Sequence, residues 1–136
     1  MGTQMVLDND FASAEYISDV KMIKIVWKNK MPRLSDYQNV YNTCLFFQKN
    51  NPVDFTLADT THQAQIPAEY SKWFVEYALP VAVRQGIMRM GIISSGNVMK
   101  LQHINNAFNM SKVYGIPFKV FKTDEAARKW LFSEGS

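Results

Sequence analysis

The run Met22-Ile23-Lys24-Ile25-Val26-Trp27 constrains this chain more than any other segment, because every residue in it except Lys24 is apolar. Such a strand offers no clean polar face to water. It has to be covered above and below, and a sheet flanked by helices does this. Ala14 to Ile17 stands just before it, across Ser18-Asp19, and the pair predicts an antiparallel hairpin.

The rest of the chain alternates. Ser35 followed by Gln38 has the spacing of a capping box, in which each side chain satisfies a backbone N–H left free at a helix start. Tyr37, Tyr41, Cys44, Leu45 and Gln48 then recur at helical spacing, with Val40 and Phe47 widening the stripe, until Asn50-Asn51-Pro52. Asp54 to Asp59 is a strand, and Thr60-Thr61-His62-Gln63 a polar loop. Pro67 suits the first turn of a second helix, where its missing N–H costs nothing. That helix carries an aromatic face of Tyr70, Trp73, Phe74 and Tyr77, and Pro80 is expected to disrupt or end it.

Ile87 to Ile93 is the next strand, with the basic Arg89 inside it. Asn97 is a natural N-cap for a third helix with Val98, Leu101, Ile104, Asn105 and Phe108 along one face. After Gly115-Ile116-Pro117 comes a short strand, Phe118 to Phe121. Thr123 caps a last helix, with Asp124 and Glu125 suited to its positive end and Ala127, Trp130 and Leu131 turned inward. The order β-β-α-β-α-β-α-β-α implies crossovers and a mostly parallel sheet after the hairpin.

At 136 residues the chain fits a single domain, 1–136, in which residues 1–9 are loose or add an edge strand near Met5 to Leu7. A hydrophobic share of 47% against 20% charged residues describes a globular chain rather than a disordered one. The single cysteine, Cys44, forms no intrachain disulfide, which suits a reducing, cytoplasmic setting. Asp8-Asn9-Asp10 interrupts the N-terminal apolar residues at once, so no secretory signal is expected. No apolar run approaches the ~20 residues of a membrane span. The net charge of +3 is spread along the chain instead of gathered into a stripe, so nucleic acid is not an expected partner.

Several segments, in this order and spacing, resemble the SpoIIAA-like group of STAS-fold proteins, the anti-sigma-factor-antagonist-like family, and are most similar to its small Bacteroidetes-type members. They are Lys24-Ile25-Val26-Trp27-Lys28, Thr56-Leu57-Ala58-Asp59, the run from Ile66 to Trp73, Arg89-Met90-Gly91-Ile92-Ile93, and the ending from Val120 to Leu131. The resemblance covers about residues 10 to 132. It implies an α/β fold with a four- to five-stranded sheet covered by about four helices, often in a homodimer. Members of the group act as phosphorylation-controlled switches, and a related group of the same architecture binds lipids or other hydrophobic ligands. The switch members carry an Asp-Ser-Ser-type motif at the start of the second helix. Here Gln65-Ile66-Pro67 stands at that place, without a serine.

Candidate chemistry is sparse. Asp59, Thr60, Thr61 and His62 gather near a strand end, where open α/β sheets place ligands, and an Asp59–His62 pair would suit a small hydrolase. No second histidine or acid completes it. Ser94-Ser95-Gly96-Asn97 lacks the glycine and lysine spacing of a phosphate loop. Cys44 lies on a buried stripe as an inert thiol, and two histidines, His62 and His103, are too few for a metal site. Neither a metal nor a cofactor is expected. The aromatic helix face packs on the sheet or lines an apolar pocket or dimer contact. The expected role is a non-enzymatic binding or regulatory module for a protein partner or a small hydrophobic ligand. Its expected site residues are Trp27, Asp59, Thr60, Tyr70, Trp73 and Tyr77. The alternatives are a phospho-switch using Thr60 or Thr61 and the Asp59/His62 hydrolase.

Overall fold

The computed structural model describes residues 2–94 and 114–133. Among the described residues, six strands form one sheet in sequential order: β1 (Thr3–Asp8), β2 (Ala12–Ile17), β3 (Met22–Trp27), β4 (Phe55–Asp59), β5 (Arg89–Ile93) and β6 (Phe118–Phe121). β2 pairs antiparallel with both β1 and β3, and β3 through β6 are parallel. The predicted hairpin is β2–β3. The segment that the sequence left undecided is β1, an edge strand with an irregular register between Met5 and Leu7. It raises the strand count above the expected five. A bulge of this kind twists an edge and discourages further pairing.

The first helix, α1 (Leu34–Asn50), starts earlier than Ser35, and Arg33 occupies its N-cap. The Arg33 backbone N–H donates to Asp36 Oδ2 at 3.0 Å, and its Nε donates to the same oxygen at 3.0 Å. A carboxylate three residues into the helix accepts both donors with full charge, which the Ser35–Gln38 pair cannot match.

Pro80 does not end the second helical region. Ala68–Trp73 (α2), a π-helical turn at Phe74–Ala78 and Leu79–Arg84 (α3) follow one another with right-handed helical backbone at each junction. The Leu79 N–H reaches back five residues to the Phe74 carbonyl. A proline ring strikes the carbonyl four residues behind it in a tight α-helix and offers that carbonyl no N–H. The wider turn just before Pro80 relieves this conflict without breaking the helix. Gly86, at φ 108°, then turns the chain toward β5. The predicted helix from Asn97 to Phe108, together with Ser95, Gly96 and His103, lies outside the described residues.

Strand alternation divides the core in two. Ile23, Ile25 and Trp27 of β3 face α1 and the α2–α3 helix in a cluster that also holds Tyr37, Val40, Cys44, Phe74, Met90 and Phe118. Met22, Leu57 and Ile93 face the opposite way, against Ala127 and Leu131 of the last helix, α4 (Asp124–Leu131). Thr123 caps α4 as expected, its Oγ1 accepting the Ala126 N–H at 3.1 Å. Among the described residues, no helix is long and apolar enough to cross a membrane.

Lys24 of β3 and Arg89 of β5 both serve α4. Lys24 points to its first turn, where Nζ lies 2.6 Å from Asp124 Oδ2, and Arg128 holds the other oxygen at 2.5 Å. Arg89 Nη1 donates to the Trp130 and Leu131 carbonyls at 2.9 and 3.0 Å, at the helix end where carbonyls lack partners. Close approach of α4 also needs Gly91, since a Cβ there would sit 3.3 Å from Leu57 Cδ1 and 3.8 Å from Leu131 Cδ1.

Two tests follow from this packing. Gly91→Ala is expected to lower stability in urea denaturation by about 1–3 kcal/mol, as overpacking of a filled interior does. An unchanged midpoint would show that α4 has room to shift. Burial pushes the Asp124 carboxyl up, but the Lys24 and Arg128 hydrogen bonds outweigh it and hold the group below its ordinary value. Its contribution is then complete above the ordinary carboxylate pKa and fades as pH falls through the lowered folded value. Asp124→Asn should cost up to about 1 kcal/mol at neutral pH, the pair being partly exposed. That gap should close in strong acid, and a gap constant down to pH 2 would contradict the assignment.

Candidate functional site

On the α1 side of the sheet, wide aromatic rings fill the space above β3 and leave an opening beyond it. Trp27 ends β3 and stacks on Tyr37 of α1, ring centroids 5.3 Å apart and planes at 19°. Tyr41, one helical turn on, lies 5.8 Å from Trp27 and 4.8 Å from Phe74 of the π-helical turn. Tyr37 also meets Tyr70 at 5.3 Å. Aromatic contacts of this kind add to the burial of area and fix ring orientation.

Beyond these rings lies a cavity of about 80 Å³, open to solvent. Its floor is Thr56, Ala58 and Thr60 of β4 and its extension, with Met90, Gly91 and Ile92 of β5 and Phe118 of β6. Its walls are Trp27, Tyr37, Tyr41 and Phe74, with Ser71, and the loop Gln63-Ala64-Gln65-Ile66 forms one side. At roughly 15 Å³ of such space per water, the enclosed part has room for about five waters. A smaller cavity of about 30 Å³ adjoins it, sharing Tyr41, Thr56, Phe74 and Met90 and running toward Cys44, Gln48 and Ala82. The surfaces are mostly apolar, with a few polar groups at the loop side, as small-molecule sites usually are.

The tyrosine hydroxyls stay protonated here. Burial, with Tyr41 beside it, pushes Tyr37 well above the usual phenol range. Tyr41 is half-buried by exposed area, yet it is crowded densely enough that burial pushes its hydroxyl up as well. Tyr37 and Trp27 act the other way on Tyr41, as neighbouring donors, without offsetting the burial. The Trp27 indole N–H nevertheless finds no acceptor at hydrogen-bonding distance and angle.

Of the expected site residues, Trp27 and Thr60 border the cavity and four do not. Asp59 follows strand alternation to the α4 side, and its Oδ1 accepts the Thr61 N–H at 3.0 Å, closing the turn. Tyr70 is buried with its hydroxyl donating to the Pro32 carbonyl at 2.9 Å, which ties the loop before α1 to α2. Trp73 lies at the edge of the ring cluster, 6.2 Å from Tyr37 and 6.4 Å from Tyr41, and stacks at 5.4 Å on Tyr77, which is 50% exposed. Thr60 is buried, and its hydroxyl donates to the Ile93 carbonyl at 2.7 Å. His62 is exposed.

Sequence reasoning assigned Tyr37 and Tyr41 to a helix stripe and missed their place in a cavity wall. Two tyrosines one turn apart on an otherwise apolar stripe were the available signal. Thr56 and Ala58 could have been found from the period of two that links them to Thr60. The contribution of Gln63 to Ile66 had no local signal, because it depends on where the loop folds back.

Neither a known family pattern nor a curated protein sequence matches this chain. Among solved structures, the crystal structure of an uncharacterised DUF3478-family protein with a SpoIIAA-like fold, from Shewanella loihica PV-4, superposes with a TM-score of 0.53. Identity is 18%, and the match covers 96% of this chain and 92% of that one. This chain therefore has a SpoIIAA-like α/β fold, as its resembling segments imply.

Burial pushes the Cys44 thiol up to about 12, which removes its reactive thiolate near neutral pH. Ellman's reagent at pH 8 is expected to leave Cys44 unmodified in the native protein and to react fully in guanidinium. Equal rates in the two conditions would contradict the buried placement.

Proposed function

We propose that this protein is a non-enzymatic binding module of the reducing cytoplasm, and that its ligand is a small hydrophobic molecule held between the sheet, α1 and the π-helical turn. The single observation that supports this reading is the cavity itself. It is walled by Trp27, Tyr41, Phe74, Met90 and Phe118, and its depth is bounded by side chains too large to collapse into it. An apolar molecule that enters it exchanges hydrating water for ring surface, gaining about 25 cal/mol for each Å² removed from water. The free, buried Cys44 is in keeping with a reducing compartment.

The alternative chemistries have less support. Phosphorylation of Thr60 would require exposing a hydroxyl that now holds the Ile93 carbonyl. A hydrolytic Asp59–His62 pair would require a carboxylate that now closes its own turn. Both groups already have structural work, and the cavity lies on the other side of the sheet from the Asp59 carboxylate.

Titration of ¹⁵N-labelled protein with ethylbenzene tests the reading. Saturable shifts are expected at the Trp27 indole and at the backbone amides of Tyr41, Phe74 and Met90. Ala58→Leu, which fills the floor, should weaken binding about tenfold while leaving the circular dichroism unchanged, since a few lost van der Waals contacts and lost room are worth about 1.4 kcal/mol. Shifts that never saturate, or that fall on α4, would refute it.

A further inference from the structure

The smaller cavity shares Tyr41, Thr56, Phe74 and Met90 with the larger one, so these side chains border both spaces. Met90 yields most readily among them, because its side chain is unbranched and turns about three bonds. Beyond them the smaller cavity runs between α1 and the α2–α3 helix, over Ile23 and Ile25 of β3. Ala78 and Ala82, both buried, line its helical side, where a larger side chain would close the space. Interiors favour close packing, and an apolar space left unfilled costs stability. At roughly 15 Å³ per water, its volume of about 30 Å³ has room for about two waters, or a chain of about three carbons.

The far end of this space suits hydrocarbon. Among the described residues its one side-chain amide is already engaged: Gln48 Nε2 donates to the Ala82 carbonyl at 3.1 Å, and Gln48 Oε1 accepts from Gln85 Nε2 at 3.2 Å. Burial holds the Cys44 thiol there protonated. Among the described residues that line either cavity, none carries a charge, so an ion would lose water and gain no counter-charge. Gln63, Gln65 and Ser71 border the larger cavity alone. Polarity therefore falls from the loop side of the larger space toward the smaller one.

We propose that the smaller cavity is a second subsite: it receives a short, unbranched alkyl chain at one end of an uncharged ligand whose wider body fills the larger cavity. The proposal rests on the reading of the larger cavity as a ligand site and names the class of ligand that the pair selects. A straight chain passes between Phe74 and Met90 and displaces water from the alanine-lined space. A branched chain of the same carbon count is too wide at the shared wall and too short beyond it.

Three single-ring probes test this: toluene, n-propylbenzene and its isomer isopropylbenzene, titrated by ¹⁵N NMR against the wild type and Ala82→Leu. Ala82 borders the smaller cavity and not the larger, so the variant fills the second subsite alone. The wild type is expected to bind n-propylbenzene about fourfold more tightly than isopropylbenzene, the worth of one more buried methylene group. In Ala82→Leu the toluene affinity should persist within about twofold, and the preference for the straight chain should vanish. Should that variant not fold, the wild-type amides of Cys44 and Ala82 still decide, shifting with n-propylbenzene and not with toluene. Equal wild-type affinities for the two isomers, or a preference that survives in Ala82→Leu, overturns the second subsite while leaving the larger cavity as a binding site. Failure of all three probes to bind overturns the cavity reading itself.

Discussion

Burial of β3 on both of its faces is the constraint on which the rest of the structure depends. Ile23, Ile25 and Trp27 are almost fully buried on one side and Met22 on the other. No arrangement with a wet face could hold such a strand, so helices have to close over the sheet from both directions. The α1 and α2–α3 connections do so on one side and α4 on the other. Lys24 becomes compatible with this central position because α4 brings Asp124 to it. The strand thus dictates both where the helices go and what the α4 surface must carry.

The candidate site is a consequence of how the first of these layers is filled. Aliphatic side chains could have closed the gap between α1, α2 and the sheet. Here the gap is filled by Trp27, Tyr37, Tyr41, Tyr70 and Phe74, whose rings meet at centroid distances of 4.8–5.8 Å. Rigid rings in fixed orientations pack well against one another and leave angular space at their edge. That edge falls over Ala58, whose small side chain leaves the space open. The π-helical turn contributes as well, since it carries Phe74 into the shared wall of both cavities while making room for Pro80.

Much of this was legible from residues alone. The hairpin, the alternation from β3 to β5, the Thr123 cap and the buried Cys44 follow from local periodicity and capping chemistry, and the structure contains them. Other features depended on competition that a local pattern does not resolve. Arg33 and Asp36 won the start of α1 over Ser35 and Gln38 by charge. Pro80 was absorbed because the widened turn let the helix continue, and the apolar Leu79 and Ala82 beyond it are buried. For the site, Trp27 and Thr60 were reachable by their position at strand ends, whereas Asp59 was separated from them by the pleat, one residue away in sequence and on the opposite face.

By itself the sequence determined the element types, their order, and the need for a covered central strand, because these arise from interactions within a few residues and from the total apolar surface to be hidden. Only the tertiary structure decided which aromatic residues share a wall and which polar groups are consumed in bracing α4 and closing turns. Most of those outcomes are set by contacts between residues far apart in the chain, up to 100 positions for Lys24 and Asp124. Trp27 shows the division: its strand was evident from its neighbours, while its stack on Tyr37 depends on where α1 packs over the sheet.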